Sequence, residues 1–592
     1  MCGIAGGFGL GVADLEKTLE RLQHRGPDGV GTFFGDGFSM GMRRLAIQDL
    51  EHGQQPFALG SVQVVCNGEI YNWRELRAEL ETAGFTFSTE CDCEILPAAW
   101  CQWGKDMVPK LIGMFALAVF DQESGELFLA RDRCGEKPLF WRQAGPGSFH
   151  FSSEAQAFSA SQRMEEKAAT QWLRLRYCPE PLTVLEGIQT VPAAHWMKVR
   201  DGKIIEKKRY WTPPVVTASQ DQTSLADLTA AAVNRASQPD VPMACYLSGG
   251  VDSALLAHFL KKTGRPFQTI AIGFGAQSDE TASAAETAAF FDLPHHTVTL
   301  PPESLQSLPR VVSQMDLPIG DALLLAFDAL AKKTADLGCK VALGGEGPDE
   351  HFGGYSFQSA TRGAARLGSV GRFFAAKALK NLPLSALSKL AAFPAEMDSA
   401  ARYKIVRYLE TFGDLSPFER LTGLHTLEDA PGWFFQEKIP PPRDPELPFD
   451  DERRSLYTHW LPDWSLIRQD RMTMAHGVEY RAPFLDRDLM DEALRRPFSK
   501  EKRIWRELAD QVLPKPIARR PKQPFYLPLE HPAWRDQLVN LAQKTLPAGK
   551  LRAEGILDPD AVTPLLAATT FLPLKKLAAL VIFQLWLDQL SD

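Results

Sequence analysis

Ala244-Cys245-Tyr246-Leu247-Ser248-Gly249-Gly250-Val251-Asp252-Ser253 decides how the rest of the chain is read. Met243 to Leu247 is a short apolar run suited to a buried strand, and Ala254 to Leu260 continues as an apolar helix, so the glycine turn falls at a helix N-terminus. Backbone N–H groups at such an end bind phosphate oxygens. Gly249 and Gly250 admit a ligand close to the backbone because no Cβ stands in the way, Ser248 and Ser253 add hydroxyl donors, and Asp252 can hold the magnesium that accompanies a nucleotide. No Walker lysine follows, so the loop suits cleavage between the α and β phosphates, giving AMP and pyrophosphate, better than γ-phosphate transfer. A lone Ser-Gly-Gly would read equally well as an ordinary strand-turn-helix junction; the six-residue run Ser248 to Ser253 favours a pyrophosphate loop.

The chain has 592 residues, 45% of them hydrophobic, more than one core usually holds, so two domains or more are expected. A net charge of −8, with no basic block carrying interleaved aromatics, argues against a nucleic-acid surface. Nothing at the start resembles a signal peptide and no apolar run is long enough to span a bilayer, so no membrane partner and a cytoplasmic location are expected. Nine cysteines without paired spacing suit a reducing compartment. Cys91 and Cys93, one residue apart, would point to opposite sides of a strand as packing residues. The histidines show no ligand spacing, His295 and His296 being adjacent, and no zinc is expected.

Once the initiator methionine is removed, the opening Met1-Cys2-Gly3-Ile4 puts a cysteine at the N-terminus. An α-amine with a pKa of about 7.7 to 8.0 can take the proton of a thiol near 8.5, so nucleophile and base become one residue. Polar residues suited to a carboxamide substrate follow. Arg44 offers a guanidinium that can fork onto an α-carboxylate. Asn67 and Gly68 lie at the end of the apolar run Val62 to Val65 and can form an oxyanion hole for an acyl intermediate on Cys2. Glu69 and Asp92 can take a substrate's ammonium and amide protons. His24-Arg25-Gly26-Pro27-Asp28 reads as a charged turn. Singly each is more often a turn or cap residue; together they form a site.

These segments, with Asp92-Cys93-Glu94, Gly113-Met114-Phe115-Ala116, Arg131-Asp132 and Gly135-Glu136-Lys137-Pro138-Leu139, resemble the glutamine-dependent asparagine synthetases, and the resemblance covers nearly the whole chain. It implies an α/β multidomain protein. Residues 1–210 would be a class II glutamine amidotransferase domain, an αββα N-terminal-nucleophile hydrolase sandwich in which Cys2 attacks glutamine, forms a thioester and releases ammonia. In that scheme Arg44, Asn67, Gly68, Glu69 and Asp92 take the glutamine-binding and oxyanion roles. The Pro- and Ser-rich 211–224 reads as a linker, and 225–592 as a parallel-sheet α/β synthetase domain of the adenine-nucleotide α-hydrolase kind.

Within that second part Phe267 to Phe274, Val298 to Leu300 and Lys340 to Leu343 read as further strands alternating with helices at Thr281 to Phe291 and Leu323 to Leu337, which implies a mostly parallel sheet with its ligand beyond the strand C-termini. Gly344-Gly345-Glu346-Gly347-Pro348-Asp349-Glu350 is a second anion-friendly loop, and Asp349 with Asp252 is the expected magnesium pair. By resemblance Glu346 takes part in forming the acyl-adenylate, Leu247 and Ile272 frame the adenine, Gly344 and Gly345 border the nucleotide, and Lys502 contacts pyrophosphate. Lys522 is a second counter-charge. Arg468 to Ala475 and Glu479 to Asp486 match the family's closing segment; as charge patterning alone they read as a solvated helix and a turn. About 363–449 reads as a helical insertion.

The implied cofactors are ATP and Mg²⁺, and the partners are small molecules: glutamine, ATP, and aspartate or another carboxylate. Gly344 stands where the family usually has serine, Pro348 where it has serine or glycine, and Lys522-Gln523-Pro524-Phe525-Tyr526 departs from the commoner Lys-Gln-Gly-Phe, so amidation of a different acid is the runner-up. A non-catalytic scaffold and an ammonia-free ring closure are disfavoured because Cys2, Asp252, Glu346 and Asp349 all remain. Oligomeric state stays open, a homodimer included.

Overall fold

The computed structural model describes residues 2–354 and 456–590, apart from 36, 159–162, 215–223, 276–278, 497–498, 500–501, 524, 548 and 554–558. Most of the expected linker and all of the expected helical insertion lie outside the described residues. The N-terminal part is a sandwich of two antiparallel six-stranded sheets. One runs, edge to edge, Ile188–Thr190, Phe140–Gly145, Ser148–Ser152, Cys2–Phe8, Phe38–Arg44, Gly29–Gly35; the other Lys203–Arg209, His195–Arg200, Glu126–Arg131, Gly113–Asp121, Val62–Ile70, Phe57–Leu59.

Strand alternation divides the residues of the second sheet between two cores. Val65, Ala116, Ala118, Leu127 and Leu129 face Ile4, Met40 and Met42 of the first sheet. Val64, Cys66, Phe115, Leu117 and Phe128 face the opposite way, against Trp73, Leu76, Ile95 and Leu96 of the helices Trp73–Thr82 and Ile95–Trp103. Asn67 shares the parity of Val65, which aims it between the sheets toward Cys2.

In the second part five strands run parallel in the order His295–Thr299, Gln268–Gly273, Met243–Tyr246, Val341–Leu343, Glu479–Arg481. The sheet extends from Met243–Tyr246 to either side, so the loops after Tyr246 and Leu343 leave neighbouring strands at the point where the order reverses, where such sheets bind ligands. Glu479–Arg481 is a strand, not the expected turn. Three residues are too few to show a period, and its Ala342↔Tyr480 and Leu343↔Arg481 pairing supplies the order.

Apart from Lys575, Lys576 and Gln584 the helix Phe571–Leu587 is apolar around its circumference, so most of it is buried rather than laid on the surface. Leu574, Leu577, Val581, Ile582, Phe583 and Trp586 sit in the largest core, which also takes Trp172 from the N-terminal helix Glu166–Leu175. Trp172 stacks on Phe583 with ring centres 4.2 Å apart. The two parts therefore share one core. No helix among the described residues is long and apolar enough to cross a membrane.

Candidate active site

Cys2 begins the first strand, paired with Arg44 and buried to 6% exposure. Its backbone N–H donates to Asn67 Oδ1 at 3.0 Å. The Asn67 Nδ2 is buried with no hydrogen-bond partner among the described residues, a donor left free beside the thiol. Gly68 has φ +148°, and a Cβ there would lie 2.0 Å from the Met114 carbonyl, so glycine alone lets the backbone pass. Burial pushes the Cys2 thiol up to about 11, with the Leu45 backbone and Arg44 pulling the other way.

The other expected glutamine-site residues gather here, with different partners from those foreseen. Arg44 Nη2 donates to the Gln48 and Asp49 carbonyls at 3.1 and 2.6 Å and Nη1 to the Leu50 carbonyl at 3.1 Å, so much of its guanidinium organises its own loop. Asp92 Oδ2 accepts from Ile70 N at 2.7 Å. The expectation that Cys91 and Cys93 point apart on a strand is corrected: Asp92–Glu94 is a single helical turn, and both thiols lie 3.6 Å from the Asp92 carboxylate. Glu69 forms an ion pair with Arg481 of the second part at 3.2 Å, yet burial first, and then the Asp92 charge, hold its carboxyl well above the ordinary range.

On the synthetase side, Gly250 caps the helix Val251–Lys262 and the loop before it is tied by hydroxyls. Ser253 Oγ accepts from Ser248 N at 3.1 Å and donates to the Ser248 carbonyl at 3.1 Å, while Gly250 N donates to Ser248 Oγ at 3.1 Å. A Cβ on Gly249 would come within 2.9 Å of Glu280 and Ser283, and one on Gly345 within 3.5 Å of Ser253 N, so both loops close on the helix start. Leu247 is packed among Ala257, Ala271, Ala284 and Ala288 and its N–H donates to the Ile270 carbonyl at 2.9 Å, so its side chain is turned into the core. Ile272 packs against the largest core.

Asp252 and Asp349 come together, with the Lys502 ammonium between them: it contacts Asp252 Oδ2 and lies 2.7 Å from Asp349 Oδ1. Trp505 Nε1 donates to Asp252 Oδ1 at 2.8 Å, and Lys522 reaches Asp349 Oδ2. Burial opposes it, but Lys502 and Lys522 hold the Asp349 carboxyl far below its ordinary value. Two carboxylates suit Mg²⁺ only when phosphate oxygens complete the shell, and among the described residues no cluster of three or more metal donors occurs.

Glu346 Oε1 accepts from Gln469 Nε2 at 2.8 Å, while Glu346 Oε2 and Gln469 Oε1 are buried without a hydrogen-bond partner among the described residues. Burial pushes the Glu346 carboxyl up, against the Gln469 bond and the Arg468 charge. A side chain at position 344 would force a shift: a Cβ there would lie 1.7 Å from the Tyr480 hydroxyl. Sequence reasoning gave no separate role to Gln469, Tyr480, Arg481 or Trp505, whose partners lie far along the chain.

Between the half-sites runs a buried ionic clasp. Arg25, expected as part of a charged turn, donates from Nε to the Cys2 carbonyl at 3.2 Å and forks onto Asp470 at 2.8 and 3.2 Å. Arg471 reaches Glu154 at 3.3 Å and Asp316 at 2.9 Å, and Asp316 accepts from the Ala155 and Gln156 N–H groups. Asp470 and Gln469 are neighbours on the helix Ile467–Met474, so one turn of helix holds both the support of Cys2 and the partner of Glu346.

A glutamine amidotransferase domain profile matches residues 1–211 and the asparagine synthase profile matches residues 224–588. The chain is 28% identical over 570 residues to glutamine-hydrolysing asparagine synthetase 1 of Bacillus subtilis, covering 90% of this chain and 88% of that one. It is 30% identical to asparagine synthetase 3 of the same bacterium, covering 89% and 87%, and 30% identical to the Zea mays asparagine synthetase, covering 60% of each. By these matches the chain belongs to the asparagine synthase family and carries a glutamine amidotransferase domain ahead of the synthase domain.

Proposed function

We propose that the protein is a glutamine-dependent ligase that makes asparagine from aspartate, releasing AMP and pyrophosphate. The supporting observation is the single helical turn on which Asp470 holds Arg25 under the Cys2 carbonyl while Gln469 holds Glu346. Two unrelated reactive centres fastened to adjacent residues suit a transfer between them.

At the first centre the Cys2 thiol attacks the side-chain carbonyl of glutamine and passes its proton to the amine exposed by methionine removal. Asn67 Nδ2 and the Gly68 N–H then face the developing oxyanion. Burial keeps the thiol protonated until that base is engaged. Arg44, Glu69 and Asp92 orient the glutamine. Ammonia leaves as the thioester forms and travels along the domain seam, away from bulk water that would protonate it.

At the second centre the Ser248 to Ser253 loop and Gly344-Gly345 cradle the nucleotide phosphates, and Lys502 and Lys522 take up the charge of the departing pyrophosphate. Mg²⁺, held by Asp252 and Asp349 with phosphate oxygens, would supply further charge neutralisation. Glu346, held by Gln469, faces the carboxyl that is adenylated; burial raises its carboxyl and so makes its ionised form a stronger base, which accepts the proton that ammonia loses as the amide forms.

The test is transfer of label. With amide-¹⁵N glutamine, ATP, Mg²⁺ and aspartate in a buffer containing excess unlabelled ammonium, the product asparagine carries ¹⁵N and one pyrophosphate appears per amide. An amide bearing unlabelled nitrogen overturns the coupled reading; pyrophosphate release with another acid but none with aspartate replaces the acceptor.

A further inference from the structure

One turn of helix divides the Asp252 carboxylate between two side chains. Lys502 precedes the helix Arg503–Val512 and Trp505 follows three residues on, a spacing that brings both to the same face. Trp505 Nε1 donates to Asp252 Oδ1 at 2.8 Å, and the Lys502 ammonium takes Oδ2. Lys502 has φ +56°, a conformation that a residue with a Cβ adopts only when its surroundings hold it there.

What fixes the indole is apolar and independent of that carboxylate. Trp505 is completely buried; its ring stacks on Phe352 with centres 5.2 Å apart and planes 17° from parallel, and Phe484 meets it edge-on at 5.1 Å and 82°. Phe352 and Phe484 are completely buried too, in the core they share with Leu255, Phe259 and Leu508. With the ring wedged in this way its N–H is a fixed point, and Asp252, whose side chain is 22% exposed, is the partner that would otherwise be free to turn. Phe352 ends the helix Pro348–Phe352, which carries Asp349 three residues earlier, so the same indole also sets where the second carboxylate stands. A purely apolar side chain would fill the space between the two phenylalanines with no donor to satisfy; the nitrogen serves Asp252 alone.

With Oδ1 engaged, Asp252 offers a cation Oδ2 only. That suits Mg²⁺, whose tight octahedral shell leaves no room for a chelating carboxylate, and it withholds the two-oxygen grip that the larger and looser Ca²⁺ shell accepts. We propose that Trp505 is a positioning residue that locks Asp252 into presenting one oxygen to the cation of a metal-nucleotide complex, and so sets the preference of the site for Mg²⁺ over Ca²⁺. The proposal rests on the ligase reading above, in which Asp252 and Asp349 meet the cation together with phosphate oxygens. Oδ2 passes from the Lys502 ammonium to the cation while the indole keeps Oδ1.

The experiment is calorimetric titration of α,β-methylene-ATP, which resists cleavage between its α and β phosphates, with Mg²⁺ and separately with Ca²⁺. It uses the full-length wild type, Trp505→Phe, Trp505→Met and Phe352→Leu, each first checked for a single cooperative thermal transition. The two Trp505 variants fill the space differently and share only the loss of the N–H, whereas F352L disturbs the packing and keeps it. Expected in W505F and W505M is a Mg²⁺ complex weakened about tenfold or more with the Ca²⁺ complex changed by less than about twofold, while F352L leaves the ratio of the two affinities within about twofold of the wild type. Equal losses for both cations in the Trp505 variants, or a ratio moved as far by F352L, would make Trp505 a packing residue and overturn the proposal with the ligase reading intact. A wild type that binds neither complex at millimolar analogue removes the nucleotide site itself, and both readings fall.

Discussion

Introducing serine at position 344 tests whether the glycine there is dictated by packing. In Gly344→Ser the new Cβ would stand 1.7 Å from Tyr480 Oη, 2.4 Å from Cζ and 2.7 Å from Cε2, all well inside contact distance. The ring has little room to retreat. Tyr480 is 4% exposed, its strand is paired to Val341–Leu343, its ring lies 6.1 Å from that of Tyr246, and Gly344 N itself donates to the Arg481 carbonyl at 3.0 Å. Overpacking of this kind costs about 1–3 kcal/mol, and the rigidity of both partners argues for about 3, near a hundredfold in the folding equilibrium. Tyr480→Phe should be close to neutral alone, since the hydroxyl is buried without a hydrogen-bond partner among the described residues, and should not rescue Gly344→Ser because Cζ remains in the way. Tyr480→Val removes the ring and should rescue that variant. Urea unfolding of Gly344→Ser, Tyr480→Val and the double variant, read with ATP-dependent pyrophosphate release, gives the coupling. A favourable interaction of at least about 1 kcal/mol is expected, and additivity within about 0.5 kcal/mol would refute the steric account.

Gln469→Ala removes the hydrogen bond that opposes the upward shift at Glu346, so the acid limb of the ATP-dependent rate should move to higher pH while glutaminase turnover keeps its own profile. Although burial works against it, the N-terminal amine first, and then Arg481 and Lys137, hold Glu479 down at about 2 from an ordinary 4.5, so its contribution to stability is present above about pH 4.5 and is lost as pH falls toward 2. Arg481→Met, which leaves Glu69 and Glu479 buried without that guanidinium, should destabilise by about 3–5 kcal/mol and weaken the acid resistance, read by the unfolding midpoint between about pH 3 and 7. Asn67→Ala takes away the free donor beside Cys2 and should lower glutaminase kcat by about 100-fold or more while ammonia-dependent amidation persists.

Much of this organisation was legible in the sequence because its signals are local. A strand, a glycine turn and a helix announce the Ser248 loop within a short stretch, and apolar runs alternating with helices point to the parallel sheet. What was not legible depends on residues distant in the chain. Tyr480 explains Gly344 only once two strands are paired. Gln469 looks like any polar helix residue until Glu346 is placed against it, and Arg25 reads as a turn residue because Asp470, onto which it forks, arrives from the other domain. Cys91 and Cys93 were misjudged for a related reason: a short helical turn carries no period, and the assumption of a strand sent their side chains to opposite faces.

The fork of Arg25 on Asp470 sets the terms on which the halves could be parted. A break in the 211–224 stretch would leave the covalent modules looking independent, yet each would carry away half of a charge pair that neither can hydrate without opening its core. An isolated N-terminal part would lose the anchor beneath Cys2, and an isolated C-terminal part would expose Asp470 and Arg471 on a face shaped to be covered. Gene fission, domain exchange with a relative, or expression of either piece alone therefore has to redesign that face first; moving a boundary by a few residues does not solve the problem.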